Sequence, residues 1–320
     1  MWRARTSPPR YPAGMGVVTR DELEASLEEL RTSTPDPRRG ILGPGSVAWR
    51  LGGDLAVFLG GGRAALLQLA HPMVAHAIDH HSRTRADVLG RFQRTFRNVF
   101  AMIFGELDEA FAAARRVHQV HTRITGAMPA IEGWPTRYAA NDADALRWVH
   151  ATLVDSVLVV RARLGTLSPA DRDAYVIEMN RFARLFGIPH ALLPRDHAAH
   201  ASYMAAMFDR LAVTPPAREM AHFLVGRGGA MQPRLGRVSE ALTAELLPPA
   251  IASAFELRAS PVPIRAGLVA LGPLYKAVPR TLVALPAHAE ARRRLTGRGP
   301  SRLGAWTERQ LFSLAQRTTR

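Results

Sequence analysis

Arg91-Phe-Gln-Arg94-Thr95 and Val117-His118-Gln-Val-His121 are the segments of this chain best equipped for chemistry. Arg91 and Thr95 stand four residues apart, and His118 and His121 three apart, so on helices each pair shares a face. A cation, a hydroxyl and two imidazoles on neighbouring helices of an apolar bundle would make a buried cofactor site. An imidazole ligates a metal or haem iron through one ring nitrogen while the other bonds a nearby acceptor. Haem needs only one protein ligand, where zinc needs three or four. An arginine and a threonine facing the same cavity would stabilise bound dioxygen, peroxide or a developing oxyanion. Plainer roles stay open beside these: histidines satisfied by hydrogen bonds in the core, and arginines whose stems run along apolar surface to solvent.

Two further segments carry titratable groups. In Gln68-Leu-Ala-His71-Pro72 the proline removes a backbone donor and should kink a helix, freeing a carbonyl near His71. His71 is then either a core histidine beside a kink or part of a cavity wall, with His76 and His80 following on one face. Trp148-Val-His150 and Asp155 belong to the next long helix. Asp155 lies among Leu153, Val154, Val157 and Leu158, and a buried carboxylate needs a cation or donors. Arg91 or a histidine is the expected partner if Asp155 is not simply exposed.

Other motifs fail on spacing or context. Gly60-Gly61-Gly62 and Gly226-Arg-Gly228-Gly229 follow no strand and lack dinucleotide or phosphate-loop spacing, so they read as turns. No Gly-x-Ser-x-Gly and no His-Glu-x-x-His occurs. Glu219-Met-Ala-His222 has the spacing of a di-iron ligand pair, but the second copy that such bundles need is missing.

The elements that must position these residues are helical. Val88, Phe92, Phe96, Val99, Phe100 and Ile103 follow a 3.6-residue period and predict an amphipathic helix over 87–104. Gly105 ends it. The next helix runs over 106–125, with acids in its first turn and Gly126 after its last. A loop follows over 127–140. Asn141 or Asp142 caps a long helix to about Leu164, and Ser168-Pro169 starts another that Gly187 closes. Helices are also expected at 195–212, 216–225 and 237–258, with irregular helices or apolar-surface contact over 267–287. No sustained strand alternation and no repeat is present. The expectation is an all-α, single multi-helix bundle domain over 46–290. An N-terminal extension over 1–45 drapes on its surface, with one short helix started by Thr19, and a basic tail over 291–320 includes an amphipathic piece at Leu303–Leu314.

Composition narrows the chemistry. The 320 residues contain no cysteine, which excludes disulfides, thiolate catalysis and cysteine-ligated metals. The net charge of +15 invites a nucleic-acid reading, but its distribution argues against one. Residues 1–20 carry +4 and residues 291–320 carry +7, so the body between is nearly balanced. Only Lys276 among the 42 basic residues is lysine, an arginine bias that looks like the mark of a GC-rich genome. No nucleic-acid partner is expected. No secretory signal or spanning helix is visible, so a cytoplasmic protein is expected, with peripheral membrane contact left open.

Four segments together resemble the family of latex-clearing rubber oxygenases and the oxygenase of mycophenolic acid biosynthesis. They are Leu66-Leu-Gln-Leu-Ala-His71-Pro72, Arg91-x-x-Arg94-Thr95, Val117-His118-x-x-His121 and Trp148-Val-His150-Ala-Thr-Leu-Val-Asp155, within about residues 45–225. The resemblance implies an all-α oxygenase that holds haem b and uses its iron with dioxygen. By position, it makes His121 the axial ligand and sets His118, His150 and His71 around the cofactor. Arg91 and Thr95 become the motif's catalytic arginine and threonine. Arg94 stands where rubber-cleaving members can carry a lysine that approaches iron. Guanidinium stays protonated and coordinates poorly, so the distal side differs here. Ala75 and His76 stand where those members place a glutamate. The implied substrate is therefore a small apolar molecule, isoprenoid or lipid-like, rather than polymer. The alternative is a non-catalytic helical protein that binds a lipid or other ligand in the same cavity.

Overall fold

The computed structural model describes residues 16–81, 88–225, 233–258 and 264–298, with the side chains of 88–94 and 233–235 left out. The fold is all-α apart from one small sheet. Its axis is α7 (Ala143–Arg163), capped by Asp142, whose carboxylate accepts the amides of Asp144 and Ala145. Buried positions occur all round this helix, from Trp148 through His150, Thr152 and Val154 to Leu158 and Arg161. A helix enclosed on every face must be the centre of its bundle.

Two cores meet on α7. One flank holds α1 (Arg20–Thr32), α2 (Val47–Gly52), α6 (Leu107–Thr122) and α8 (Pro169–Arg184), joined through Leu23, Leu27, Phe111, Val154, Leu158 and Phe182. The other flank holds α3 (Gly61–Leu69), α4 (Pro72–His81), α9 (His197–Phe208), α10 (Pro215–Leu224) and α12 (Pro249–Ala254) around Leu66, Trp148, Ala151, Met204 and Phe255. The amphipathic α5 (Val88–Phe104) turns through Gly105 and packs antiparallel on α6. A Cβ on Gly105 would meet the Ala101 carbonyl at 2.3 Å, so the turn requires glycine. The chain closes with α11 (Pro233–Leu246), α13 (Ile264–Ala277), α14 (Arg280–Val283) and α15 (Pro286–Leu295).

Several expectations are revised. The N-terminal segment does not merely drape: α1 buries Leu23, Leu27 and Leu30 in the first core. Its start follows the expected logic, because Thr19 and Glu22 form a reciprocal capping box. The loop over 127–140 contains half of a sheet, β1 (Thr125–Ala127) pairing antiparallel with β2 (Arg137–Ala139) in the register Thr125↔Ala139. Strands of three residues are too short to show alternation. The single helix expected over 237–258 is two, split where Pro248-Pro249 stops α11 and starts α12. Leu303–Leu314 and Gly226–Gly229 lie outside the described residues.

A buried ionic clasp ties the end of α7 to the chain on both sides. Arg161 is enclosed and meets Asp54 at 2.7 Å and the Leu51 carbonyl. Asp54 also receives Arg280 at 3.3 Å and bridges to Ala284. Burial alone would lower the Arg161 pKa, but the Asp54 carboxylate overcomes it and holds the guanidinium above its ordinary range. Removing one member of such a pair strands the other charge. Asp54→Ala is expected to cost about 3–5 kcal/mol of unfolding free energy, and Asp54→Leu combined with Arg161→Met to recover most of it. Chemical denaturation of the single and double variants measures both; an Asp54→Ala protein as stable as the parent would refute the clasp.

Candidate functional site

The predicted residues fall on α3 to α7, and each owes its place to local chemistry. Pro72 does not kink a helix. It starts α4, where its missing N–H costs nothing, after α3 has ended at Leu69. The carbonyls of the break are taken up: Leu67 accepts Trp148 Nε1 at 2.9 Å, Gln68 accepts the His71 amide, and Ala70 accepts the Ala212 amide. His71 is thereby held inside the protein, edge-on to Trp134 with ring centroids 4.3 Å apart. Arg210 stacks on the other ring system of this corner, 5.0 Å from the Trp134 centroid.

His150 is buried on α7, its ring 6.0 Å from Phe182. Desolvation drives the pKa of both His71 and His150 down to about 3, with smaller contributions from Arg210 and His200 respectively. Both rings are therefore neutral at physiological pH, and neither Nδ1 has a hydrogen-bond partner among the described residues. A neutral imidazole with an unengaged ring nitrogen is the form that ligates iron or accepts a hydrogen bond.

The α5–α6 hairpin carries the Arg91–Thr95 and Val117–His121 segments. Thirteen residues separate Arg91 from Phe104 and fourteen separate Leu107 from His121, so both lie about 20 Å from the turn. By count, Arg91 and His121 therefore stand at similar distances from the turn along their two helices. The side chains of Arg91 and Arg94 lie outside the described residues. Thr95 is exposed on α5 rather than enclosed in a pocket. His121 is half-buried in the last turn of α6. His118 is half-buried too, and its role is visible: Nε2 lies 3.0 Å from the Val18 carbonyl, while its own carbonyl accepts Asn141 Nδ2 at 3.1 Å. His118 therefore fastens α6 to the N-terminal segment and to the start of α7.

Among the described residues Asp155 is paired with Arg63 and approached by a histidine, His200, while the Arg91 side chain lies outside the described residues. Arg63 Nη2 lies 2.5 Å from its carboxylate, Nη1 donates to Ser156 Oγ at 3.0 Å, and Nε donates to the Leu246 carbonyl at 2.7 Å. The buried His200 approaches the other Asp155 oxygen at 3.6 Å, beyond a full hydrogen bond. Burial alone would push the Asp155 carboxyl up; His200 and Arg63 more than offset it and hold the carboxyl below its usual range. Gln68 Nε2 donates to Thr152 Oγ1 at 3.1 Å on the same side of α7. Sequence reasoning missed Arg63 and His200. Their signal was a lone arginine in Gly62-Arg63-Ala-Ala-Leu-Leu, a run otherwise fit for the core.

Two enclosed neutral imidazoles, His71 in the break before α4 and His150 on α7, are groups that could line or hold a haem. Among the described residues no three His, Asp or Glu side chains converge as a metal site, which is the arrangement zinc or di-iron would need. A cavity of about 280 Å³ lies elsewhere, between α1 and the end of α8, and is lined by Val18, Glu22, Ser26, Glu29 and Arg184. None of the predicted site residues borders it.

Residues 49–279 match the family described as ER-bound oxygenase mpaB/B'/Rubber oxygenase, catalytic domain. The chain belongs to this family. The match takes in α2 to α13 and so includes the α5–α6 hairpin, the His71 break and all of α7. No curated protein and no solved structure matches the chain. Membership in an oxygenase family brings with it an oxidisable substrate and dioxygen. Among the described residues no helix is long and apolar enough to cross a membrane.

The buried histidines make stability depend on pH. An unfolded histidine titrates near 6.5, while His71 and His150 in the fold do so near 3. Between these values the unfolded chain binds protons that the folded chain refuses, so stability is full above pH 6.5 and falls as pH drops towards 3. Thermal midpoints should decline over this window with a slope approaching about two protons, and His71→Gln with His150→Gln should flatten it. Parallel pH profiles for the parent and the double variant would remove the case for neutral buried rings.

Proposed function

We propose that the chain is a haem b-dependent oxygenase that uses dioxygen on a small apolar substrate of isoprenoid or lipid-like character. One observation carries the reading: an oxygenase-family match over 49–279 that takes in the α5–α6 hairpin bearing Arg91 and His121. The unengaged Nδ1 atoms of His71 and His150 support it. When bound, haem b would supply the one-electron redox chemistry that dioxygen requires.

The residues divide the work by their chemistry. His121, half-buried in the last turn of α6, would hold the haem iron, as the family resemblance implies. His118 holds α6 in register through Val18 and acts on His121 only by positioning it. His150 and His71, uncharged, offer enclosed walls with a ring nitrogen that can accept a hydrogen bond. Arg91 would supply fixed positive charge for an oxygen-centred anion and Thr95 a hydroxyl donor. Arg94 would contribute charge alone, since guanidinium does not coordinate. The runner-up, a helical lipid binder without catalysis, would use the same apolar walls.

Absorption and iron analysis of the purified chain test this directly. A Soret band with stoichiometric iron is expected, and His121→Ala should lose most of the haem while His118→Ala only weakens or retunes it, about 10–100-fold in affinity. Arg91→Lys should keep haem but lower dioxygen consumption with an isoprenoid probe, because ammonium does not reproduce the planar fork. Colourless, iron-free protein made with ample haem would sink the oxygenase reading and favour the lipid binder.

A further inference from the structure

We infer that α13 and α14 form a docking face for an anionic lipid bilayer, on which the helices lie flat. The inference stands independently of the oxygenase chemistry. Of α13, only Leu268 and Gly272 are buried. Gly272 sits so close to α7 that a Cβ would meet the Leu164 carbonyl at 2.6 Å. That contact clamps one side of α13 to the body and turns the rest outward. Val269 is 58% exposed, Leu271 48%, Leu274 61% and Leu282 73%. Four such side chains on one short stretch are more than the scattered apolar residues of an ordinary surface. Leu55 is also exposed, and it adjoins this stretch because Asp54 bridges to Ala284 and pairs with Arg280. Val238 is exposed on α11, which packs against α13.

Charge identifies the occupant. No Asp or Glu occurs between Glu256 and Glu290, whereas Arg258, Arg265, Lys276 and Arg280 do. Arg265 and Lys276 are exposed on α13, and Arg280 remains largely exposed despite its bond to Asp54. An apolar face whose own segment carries only positive charge, with the neighbouring Asp54 and Glu245 paired to arginines, matches a bilayer carrying anionic headgroups. A second copy of the chain would set like charges against each other across a two-fold axis. The C-terminal residues 299–320 are themselves basic and would do the same. At 14 residues and about 21 Å, with Pro273 inside it, α13 is too short to span and suits a position in the interface plane.

Flotation of the full chain with phosphatidylcholine vesicles, with and without phosphatidylglycerol, tests the face. Binding is expected to the anionic vesicles, weakened by salt and weaker on the neutral ones. Leu274→Glu with Leu282→Glu should reduce it about tenfold or more, because two exposed leucines lose their apolar burial. Ile177→Glu, at an exposed apolar position on α8, should bind like the parent. Circular dichroism and light scattering confirm that each variant is folded and report its oligomeric state. The chain has no cysteine, so Leu274→Cys takes a single environment-sensitive dye, whose emission should shift to the blue on anionic vesicles. Failure to float with anionic vesicles would overturn the inference. So would unchanged binding by the double variant, an unshifted dye, or conversion of a dimer to a monomer by the double variant without vesicle binding. Loss of binding on removal of 299–320, with the double variant binding normally, would assign the effect to the tail and overturn it as well.

Discussion

A helix enclosed by its bundle cannot carry inward-facing charge unless the rest of the chain answers it, and α7 turns Asp155, Arg161 and a histidine inward. Asp155 draws Arg63 from α3, and with it Ser156 and the carbonyl of Leu246. Arg161 draws Asp54 and Leu51, and through Asp54 the segment of Arg280 and Ala284. These are the residues that fix where α3, the turn after α2 and the C-terminal helices stand around the axis. Apolar packing alone would allow α3 to slide by a turn along α7. A guanidinium with three placed donors does not, because each misplaced donor would be left unsatisfied in the interior. The two clasps stand six residues apart in the C-terminal half of α7, so they fix its register there.

His150 needs no such partner, because losing its proton is easier than finding a counter-ion. The same solution applies to His71, where the helix break before Pro72 holds the ring against Trp134. The molecule therefore contains two different answers to burial: pairing for groups that stay charged, and neutrality for groups that can give up a proton. The neutral answer is the one compatible with ligand or proton chemistry. It also explains why the histidines, rather than the buried arginines, are candidates for a cofactor.

Much of the fold was legible because it is written locally. Thr19 with Glu22, Asp142 and Ser168 cap helices within three residues of themselves, and α5 declares its apolar face within two turns. The partners of the buried charges were not legible. Arg63 and Asp155 are 92 positions apart, Asp54 and Arg161 107, and nothing in either neighbourhood encodes the match. The pairing of Asp155 with a cation followed from burial; the identity of that cation did not. His118 shows the same limit, since its Val18 partner lies 100 residues away in a segment read as a surface drape. Thr95 was placed on the right helix, yet its exposure depends on which neighbours cover that face, and periodicity does not report this.

The apolar face of α13 and α14 connects to the hairpin through aromatic rings. Leu55 and Phe58 share one short helical segment, with Leu55 next to the Asp54 bridge that borders α14. Phe58 meets Phe96 at 5.3 Å and Phe100 at 6.3 Å on α5. From Phe96 to the level of Arg91 is five residues, about 8 Å along the helix axis. A molecule that partitions into a bilayer is scarce in water, so its encounter with an oxygenase is governed by where that enzyme meets the membrane. A lipid-facing surface one aromatic stripe away from the Arg91 level would shorten that encounter to a two-dimensional search. The exposed leucines, costly in water, would then serve the apolar substrate proposed for the site.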